Sequence, residues 1–197
     1  MATTKTAKVL TGKAIAKMIG WLETKPTNPV WFRQRNLAMF HLSVYCGLRA
    51  KEIVGVRWCD IVEGELRLTH TASKGRSGRP IPLNDKVLKA LFDWKSVLEG
   101  MGKYDPDGFV IITQRSKAMT AQSCVNLFSE WYAMNGMIGC SSHSGRRTFI
   151  TNTARKIGQV GGSLKDVMGL AGHSNLATTQ RYIDIDPEAQ RKVVALL

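Results

Sequence analysis

The sequence lacks any run of the roughly 20 apolar residues that a helix needs to span a bilayer. Residues 1–8 carry two lysines but lead into an amphipathic stretch instead of the apolar core of a signal peptide. Cysteine is scarce, and no two cysteines have the Cys-x-x-Cys spacing. We therefore expect a cytoplasmic protein with neither a disulfide framework nor a zinc site. Reduced thiols in apolar surroundings are expected at Cys46, Cys59, Cys124 and Cys140.

Several catalytic motifs are also missing. The sequence contains no P-loop, no Gly-x-Ser-x-Gly and no His-Glu-x-x-His. It has no paired acidic cluster of the kind that holds two metal ions, and Asp105-Pro-Asp107 is interpreted as a turn. These absences argue against nucleotide-driven, serine-hydrolase and two-metal nuclease chemistry. We expect no metal and no cofactor.

Acidic residues are few compared with basic ones. There are 15 Asp and Glu against 28 Lys and Arg, which gives a net charge of +13. Because such an excess repels itself in a compact protein, a polyanionic partner is expected, the alternative being charge that only maintains solubility. With 197 residues, of which 44% are hydrophobic, the chain is long enough for one globular domain with its own core.

Apolar residues recur at helical spacing through most of the chain. Asn28-Pro29 is expected to start the second helix, and Gly47 to stop it. The first predicted helix spans 10–25, the second runs from Asn28-Pro29 to Gly47 with Leu37, Phe40, Val44 and Tyr45 inward, and the third covers 50–56. The fourth is capped by Asn84 with Val87, Leu88, Leu91, Phe92, Val97 and Leu98 inward, and the fifth starts at Thr120 and carries Val125, Phe128 and Trp131. The sixth runs from Ser144 to Gly158, the seventh is capped by Ser163 and Asp166, and the last two start at Ser174 and at Asp186-Pro187.

Between the third and fourth helices the pattern changes to short β-like segments. Ile61-Val62, Glu65–Thr71 and Arg79–Leu83 are predicted to be strands of one small antiparallel sheet. The connection 73–78, rich in glycine and positive charge, is predicted to be an exposed and mobile hairpin tip. The fold class is therefore mainly α (α+β) with a small three-stranded sheet.

Four places carry polar or cationic side chains that packing alone does not require. They are Arg49 with Glu52, Lys74 on the hairpin tip, His143 with Arg146, and His173 followed by Tyr182. Each has an ordinary structural explanation when taken alone: a surface ion pair, a solvated lysine, a capping histidine or a core tyrosine. An imidazole and a guanidinium on one side of a helix start are, however, also suited to hold a phosphate.

Taken together, the order and spacing of these residues closely resemble the tyrosine recombinase (phage integrase) family. Tyr182 follows His173 by nine positions, and the resemblance runs from Leu10-Thr11 to the last predicted helix. It implies the mainly α catalytic-domain fold of that family, with a three-stranded antiparallel sheet. The segments that carry it are Gly47–Glu52, Lys74-Gly75, Arg79–Leu83, Ser142–Thr148, Ala171–Ser174 and Thr178–Tyr182.

The resemblance implies site-specific DNA recombination or integration, in which a tyrosine attacks phosphorus and leaves a 3′-phosphotyrosine and a free 5′-hydroxyl. Positive side chains would carry the transition-state charge. The implied catalytic residues are Tyr182 as the nucleophile, Arg49 and Arg146 as the clamp on the non-bridging oxygens, His173 as a further phosphate ligand, Lys74 as the general acid, His143 as the proton-transfer partner of the tyrosine and Glu52 as the residue that orients the cations. The expected DNA-binding residues are Arg76, Arg79, Arg147 and Arg181.

Two features depart from the family's pattern. Gly145 precedes Arg146 where the family more often has leucine, and glycine lowers helix propensity by about 1 kcal/mol relative to alanine. We expect residues 1–197 to form a single catalytic domain without the family's N-terminal core-binding domain. In domain content the chain is similar to the small recombinases that invert fimbrial promoter segments, and equally to the catalytic fragment of a longer integrase.

Double-stranded DNA is the implied partner, with a monomer in solution and a tetramer on paired DNA sites. The protein would act in the bacterial nucleoid or be encoded by a phage or mobile element. Val193, Val194 and Leu197 form an apolar stripe that either packs on its own domain or is exchanged between neighbours. Two other functions stay open: a non-cutting DNA-binding accessory or regulatory protein of the same fold, and a type IB topoisomerase-like relaxing enzyme.

Overall fold

The computed structural model describes residues 7–24, 29–68, 79–183 and 187–195. The chain divides into two compact units, Met1–Phe149 and Ile150–Leu197. The helices of the first unit are α1 (Gly12–Thr24), α2 (Val30–Cys46), α3 (Ala50–Gly55), α4 (Asp85–Gly100), α5 (Ala121–Met134) and the first turns of α6 (Ser144–Ile157).

Local sequence signals determine where several of these helices begin and end. Gly47 adopts a left-handed conformation with φ of 65° and terminates α2. The side chain of Asn84 accepts a hydrogen bond from the Val87 N–H at 3.1 Å and caps α4. Both predicted boundaries are confirmed, whereas the predicted start of α2 at Asn28 lies outside the described residues.

The sheet of the first unit consists of β1 (Ile61–Val62), β2 (Glu65–Arg67) and β3 (Pro80–Pro82), in that order and antiparallel. Leu66 lies opposite Ile61 and Ile81 across the two pairings. The three-stranded sheet is confirmed with shorter strands than expected. Residues 69–71 of the second predicted strand and the hairpin tip 73–78 lie outside the described residues.

Helix α2 lies at the centre of the first unit, where it packs against α1, α3 and α4. It buries residues on nearly every side, including the polar Asn36 and Ser43. The ring of Trp31 meets Trp94 of α4 edge-on, with centroids 4.8 Å apart. The indole N–H of Trp94 donates to the carbonyl oxygen of Val110 at 2.7 Å, so the loop after α4 is tied to the same core.

Two expectations about burial are wrong. Phe92 is 69% exposed, because the buried residues of α4 follow the helical repeat through Val87, Leu91, Trp94 and Leu98 and leave Phe92 outside this stripe. Cys59 is exposed in a short 3-10 helix, whereas Cys46 and Cys124 are buried free thiols as expected.

The second unit contains the rest of α6, a 3-10 helix (Gly158–Val160), α7 (Leu164–Ala171), α8 (Leu176–Gln180) and α9 (Pro187–Val194). Ser163 caps α7, and the carboxylate of Asp166 accepts from the Ser163 N–H at 2.7 Å, which confirms the predicted capping box. The cap of α8 is Asn175 and not Ser174, since the Asn175 side chain accepts from the Ala177 N–H at 2.8 Å.

Two further features are absent from the described ranges. No helix there has both the length and the apolar content to cross a membrane. Nor does that part of the chain bring together three or more His, Cys, Asp or Glu side chains as a metal-binding group.

Candidate active site

Three arginines of the first unit surround the carboxylate of Glu52. Arg49 Nη1 and Arg79 Nη1 lie 3.1 and 3.2 Å from Glu52 Oε1. Arg146 Nη1 lies 3.9 Å from Glu52 Oε2, close enough for ionic attraction but too far for a hydrogen bond. One acid thus orients three guanidinium groups that come from separate segments of the chain.

The turn between α2 and α3 positions two members of this cluster. After Gly47 ends α2, Arg49 becomes the N-cap residue of α3, three positions before Glu52. The backbone N–H of Arg49 donates to Glu52 Oε2 at 2.7 Å. In a capping box, this is the hydrogen bond that the glutamate side chain accepts from the N-cap residue. Glu52 is therefore fixed by the backbone of the turn as well as by guanidinium groups.

The charge of Glu52 persists although its side chain is only 3% exposed. Burial alone would raise the pKa of the carboxyl group. The charge and hydrogen bond of Arg79, the N–H of Arg49 and the charge of Arg146 outweigh it and hold the pKa of Glu52 below its ordinary value. Glu52 is consequently an anion at neutral pH.

Arg49 and Arg146 differ in how deeply their side chains are buried. The Arg49 side chain is 41% exposed, so its guanidinium reaches the surface beside the cluster. The Arg146 side chain is 3% exposed, and its Nη1 donates to the carbonyl oxygen of Gly47 at 2.8 Å. The Arg49 guanidinium is thus partly solvated, whereas the Arg146 guanidinium is buried and hydrogen-bonded, and both lie near the same carboxylate.

His143 lies immediately before α6, where it is exposed. Its N–H donates to the hydroxyl oxygen of Ser141 at 3.3 Å, and its carbonyl oxygen accepts from the Arg147 N–H at 2.9 Å. Arg147 is half-buried. The helix start therefore presents the imidazole to solvent while Arg146 points inward to Glu52.

In the second unit, His173 and Tyr182 form a stacked pair. Their ring centroids lie 5.7 Å apart with an angle of 23° between the planes. His173 follows Gly172, the left-handed residue that ends α7, and its Nδ1 lies 2.9 Å from Thr179 Oγ1. The histidine is 7% exposed, and its ring orientation is fixed by the threonine.

The backbone around Tyr182 is held from two sides. Its N–H donates to the carbonyl oxygen of Thr179 at 3.0 Å, and its own carbonyl oxygen accepts from Thr151 Oγ1 at 3.0 Å. The Tyr182 side chain is half-buried, and the neighbouring Arg181 is exposed. The tyrosine is therefore anchored through its main chain.

The structure brings the predicted site residues together in two groups: Arg49, Glu52 and Arg146 in the first unit, and His173 with Tyr182 in the second. Lys74 and Arg76 lie outside the described residues. Arg79, expected to bind DNA, has its guanidinium on Glu52, and its side chain is only 14% exposed.

Thr179 contributes to the pair of His173 and Tyr182 although the sequence predicts no role for it. It is fully buried, and it contacts His173 through its side chain and Tyr182 through its carbonyl. It lies three residues before Tyr182, and the Tyr182 N–H closes the turn after α8 on the Thr179 carbonyl oxygen. That spacing was the available signal, because a threonine there can reach back to His173.

Comparison with solved structures identifies the fold. The chain matches XerH site-specific recombinase bound to a palindromic difH substrate with a TM-score of 0.75 and 18% identity, over 95% of this chain and 52% of that one. It matches a lambda integrase dimer bound to a COC′ core site with a TM-score of 0.68 and 22% identity, over 93% and 49% of the two chains. The architecture is that of tyrosine recombinases, mainly α with a small antiparallel sheet.

Sequence comparison then identifies the family. The model of the phage integrase family matches residues 8–189, and this chain belongs to that family. It is 31% identical to tyrosine recombinase XerC of Shewanella amazonensis over 160 residues, which are 81% of this chain and 52% of that protein. It is also 31% identical to XerC of Actinobacillus pleuropneumoniae over 193 residues, or 96% and 60%. The chain thus spans between half and three-fifths of the length of these relatives.

Proposed function

We propose that the chain catalyses site-specific DNA strand cleavage and rejoining through a covalent 3′-phosphotyrosine intermediate, with Tyr182 as the nucleophile. The observation that carries this proposal is the stacking of half-buried Tyr182 on buried His173, whose ring is fixed by Thr179. Binding DNA requires no such tyrosine, whereas transfer of a phosphodiester to a protein hydroxyl does. Family membership supports the same chemistry.

The proposed reaction conserves the energy of the phosphodiester. Tyr182 Oη attacks phosphorus and loses its proton towards His143, while the bond from phosphorus to the 5′ oxygen breaks and Lys74 protonates that oxygen. The products are a 3′-phosphotyrosine and a free 5′-hydroxyl. Attack of a 5′-hydroxyl from another DNA strand on this intermediate reverses the steps and rejoins the backbone, so no ATP is consumed.

Charge at the phosphate is handled by the arginines. In this proposal Arg49 and Arg146 donate to the non-bridging oxygens, for which the planar guanidinium provides bidentate geometry. His173 adds a hydrogen bond, which has to come from Nε2 because Nδ1 bonds Thr179. Glu52 keeps the guanidinium groups oriented before DNA arrives, which lowers the reorganisation needed in the transition state.

Double-stranded DNA is the proposed substrate, and the protein is proposed to act in the bacterial nucleoid or to be encoded by a phage or mobile element. The net charge of +13 favours binding that is dominated by phosphate contacts and that weakens steeply with salt. We keep Arg76, Arg147 and Arg181 as proposed phosphate contacts. Arg79 is proposed to contribute mainly through Glu52, since its guanidinium lies on that carboxylate.

The function is tested with a nicked suicide substrate, in which the short fragment that carries the new 5′-hydroxyl diffuses away after cleavage, so that the enzyme stays trapped on the DNA. The expected result is a protein–DNA adduct that survives denaturant. DNA binding without any adduct would instead support a non-cutting accessory protein. Relaxation of supercoiled plasmid without recombinant products would support a topoisomerase-like enzyme.

Replacing Lys74 tests the proposed general acid. Lys74→Ala is expected to lose cleavage of ordinary DNA, because the departing 5′ oxygen is a poor leaving group without a proton donor. Substituting sulfur for that bridging oxygen makes a better leaving group and should restore cleavage by Lys74→Ala. The measurement is the adduct formed on matched oxygen and sulfur substrates, with Lys51→Ala, an exposed lysine of α3, as the control. Failure of sulfur to restore cleavage would remove this role from Lys74.

Helix α9 is proposed to mediate assembly on paired DNA sites by exchange between neighbouring copies. Its Val193 and Val194 are 56% and 67% exposed, which leaves an apolar stripe available to another chain. Replacing both by glutamate should abolish the tetramer on paired sites in native gels while leaving adduct formation on a single nicked site. Val160→Glu, at a valine 79% exposed elsewhere in the second unit, is the control. A tetramer that survives the double replacement would contradict the exchange.

A further inference from the structure

Two glycines mark an unusually close contact between α2 and α6 in the first unit. A Cβ atom placed on Gly145, in the first turn of α6, would overlap Ser43 Oγ and lie 2.9 Å from Ser43 Cβ and 3.0 Å from its carbonyl carbon. A Cβ atom on Gly47 would overlap the Phe149 ring and lie 2.9 Å from its Cγ. Side chains of ordinary size at either glycine would therefore push the helices apart.

This contact surrounds Arg146. Gly145 precedes Arg146 directly, and Phe149 follows it by three residues on a neighbouring part of the same helical surface. Gly47 provides the carbonyl oxygen that accepts from Arg146 Nη1 at 2.8 Å. The separation of the two helices therefore determines whether Arg146 can reach the carbonyl oxygen of Gly47. It thereby also determines the position of the Arg146 side chain, which is only 3% exposed.

We propose that Gly145 is a positioning residue for Arg146: because it has no side chain, α6 can approach Ser43 of α2 closely, which fixes the guanidinium before DNA binds. What Arg146 then does for the phosphate rests on the function proposed above. The departure from leucine at position 145 follows from the same geometry, because a leucine side chain has no room against Ser43.

For Gly145→Ala, helix propensity alone predicts a more stable protein, whereas the close contact with Ser43 predicts a damaged site. Position 145 has no positive φ, so alanine is allowed there by the backbone and would stabilise a helix in which nothing touched it. If packing dominates, the same replacement moves α6 and displaces Arg146. The sign of the effect on cleavage and on thermal unfolding thus separates the two explanations.

The primary experiment measures single-turnover cleavage of nicked DNA at saturating concentration. Gly145→Ala is expected to cleave about 10- to 100-fold more slowly, since misplacement by about 1 Å can cost a factor of about 100. DNA affinity should change by no more than about twofold, because the phosphate contacts of the other cations persist. Gly158→Ala is the matched control, since that glycine has an ordinary φ and no heavy atom within 4 Å of the added Cβ.

Second-site variants show whether the contact with Ser43 is the cause. Ser43 Oγ is buried and has no hydrogen-bond partner in the described part of the chain, so Ser43→Ala alone should cleave like wild type. In the Gly145→Ala background, Ser43→Ala should restore part of the rate and Ser43→Gly more of it, because they remove first Oγ and then Cβ. The absence of any rescue would overturn the proposal.

A neutral substrate reports on the guanidinium itself. Replacing one non-bridging oxygen of the scissile phosphate by methyl removes the negative charge that Arg146 is proposed to meet. The deficit of Gly145→Ala should shrink on this methylphosphonate, as should that of Arg146→Ala. An equal deficit of Gly145→Ala on both substrates would mean general damage to the fold and would overturn the positioning role.

Thermal unfolding tests the positioning independently of catalysis. Arg146→Met should lower the unfolding midpoint less in the Gly145→Ala background than in wild type, because Arg146 has already lost its bond to Gly47 there. Additive shifts would contradict the inference even if cleavage occurs. Coupled shifts in a protein that forms no adduct would leave the inference standing and overturn the proposed function instead.

Discussion

Tyr182→Phe is expected to form no covalent adduct on the nicked suicide substrate, while DNA affinity stays within about twofold of wild type. The replacement removes one oxygen atom and keeps the ring that stacks on His173. The hydrogen bonds of residue 182 with Thr179 and Thr151 use its backbone atoms, so they persist as well. Adduct is measured by denaturing gel electrophoresis, and binding by fluorescence anisotropy on the same DNA.

The matched control removes a phenolic oxygen elsewhere. Tyr104 is a half-buried tyrosine of the first unit whose ring meets Trp58 edge-on at 5.6 Å. Tyr104→Phe should form adduct at the wild-type rate, because its hydroxyl has no part in the proposed chemistry. Residual adduct with Tyr182→Phe would show that another side chain is the nucleophile, and loss of DNA binding would show that the tyrosine has a structural role.

Much of the fold could be predicted because its determinants are local. Gly47, Asn84 and the pair Ser163 and Asp166 act on backbone groups within a few residues, so their chemistry is visible in the sequence. Phe92 shows the limit of prediction from local signals. Its side chain is apolar, but Lys89 and Ser96 lie one turn away from it, and the face of α4 that lies inside is the one on which Trp94 packs against Trp31.

The candidate site could be predicted as a set of residues but not as a set of contacts. The order of Arg49, Arg146, His173 and Tyr182 indicated the chemistry through its resemblance to a family. That Arg79 lies on Glu52, 27 positions away, depends on the tertiary fold, which brings the residue before strand β3 to α3. Spacing along the chain carries no information on such a distant pairing, so the sequence shows Arg79 only as a basic residue next to the hairpin.

Glu52→Gln is expected to lower the free energy of unfolding at pH 7 by about 3 kcal/mol, which is roughly 6–12 °C in the unfolding midpoint for a chain of this size. Glutamine keeps the shape but leaves three guanidinium groups without their counter-charge. We expect the lower end of the range for a broken buried ion pair, because Arg49 is 41% exposed and partly solvated. Cleavage should also fall, since Arg146 loses the anion that attracts it.

The pH dependence of this loss follows from the direction of the pKa shift. The pKa of Glu52 is lower in the folded protein than in the unfolded chain, so its charge stabilises the fold above the ordinary glutamate value of about 4.3. That stabilisation disappears as the pH falls through the lower, folded pKa. The difference in unfolding free energy between wild type and Glu52→Gln should therefore be constant near neutral pH and shrink in acid.

Glu99→Gln provides the control, because Glu99 pairs with Lys95 at 3.6 Å on the surface and its side chain is 51% exposed. An exposed pair of this kind contributes about 0–1 kcal/mol, so this variant should unfold close to wild type at every pH. Equal effects of Glu52→Gln and Glu99→Gln at pH 7 would mean that the three arginines do not depend on Glu52. A Glu52→Gln deficit that grows in acid would mean that burial, and not the arginines, dominates the pKa of Glu52. The loss at neutral pH and its disappearance in acid therefore test the same arrangement from two directions: one carboxylate, kept ionised by the cations it orients.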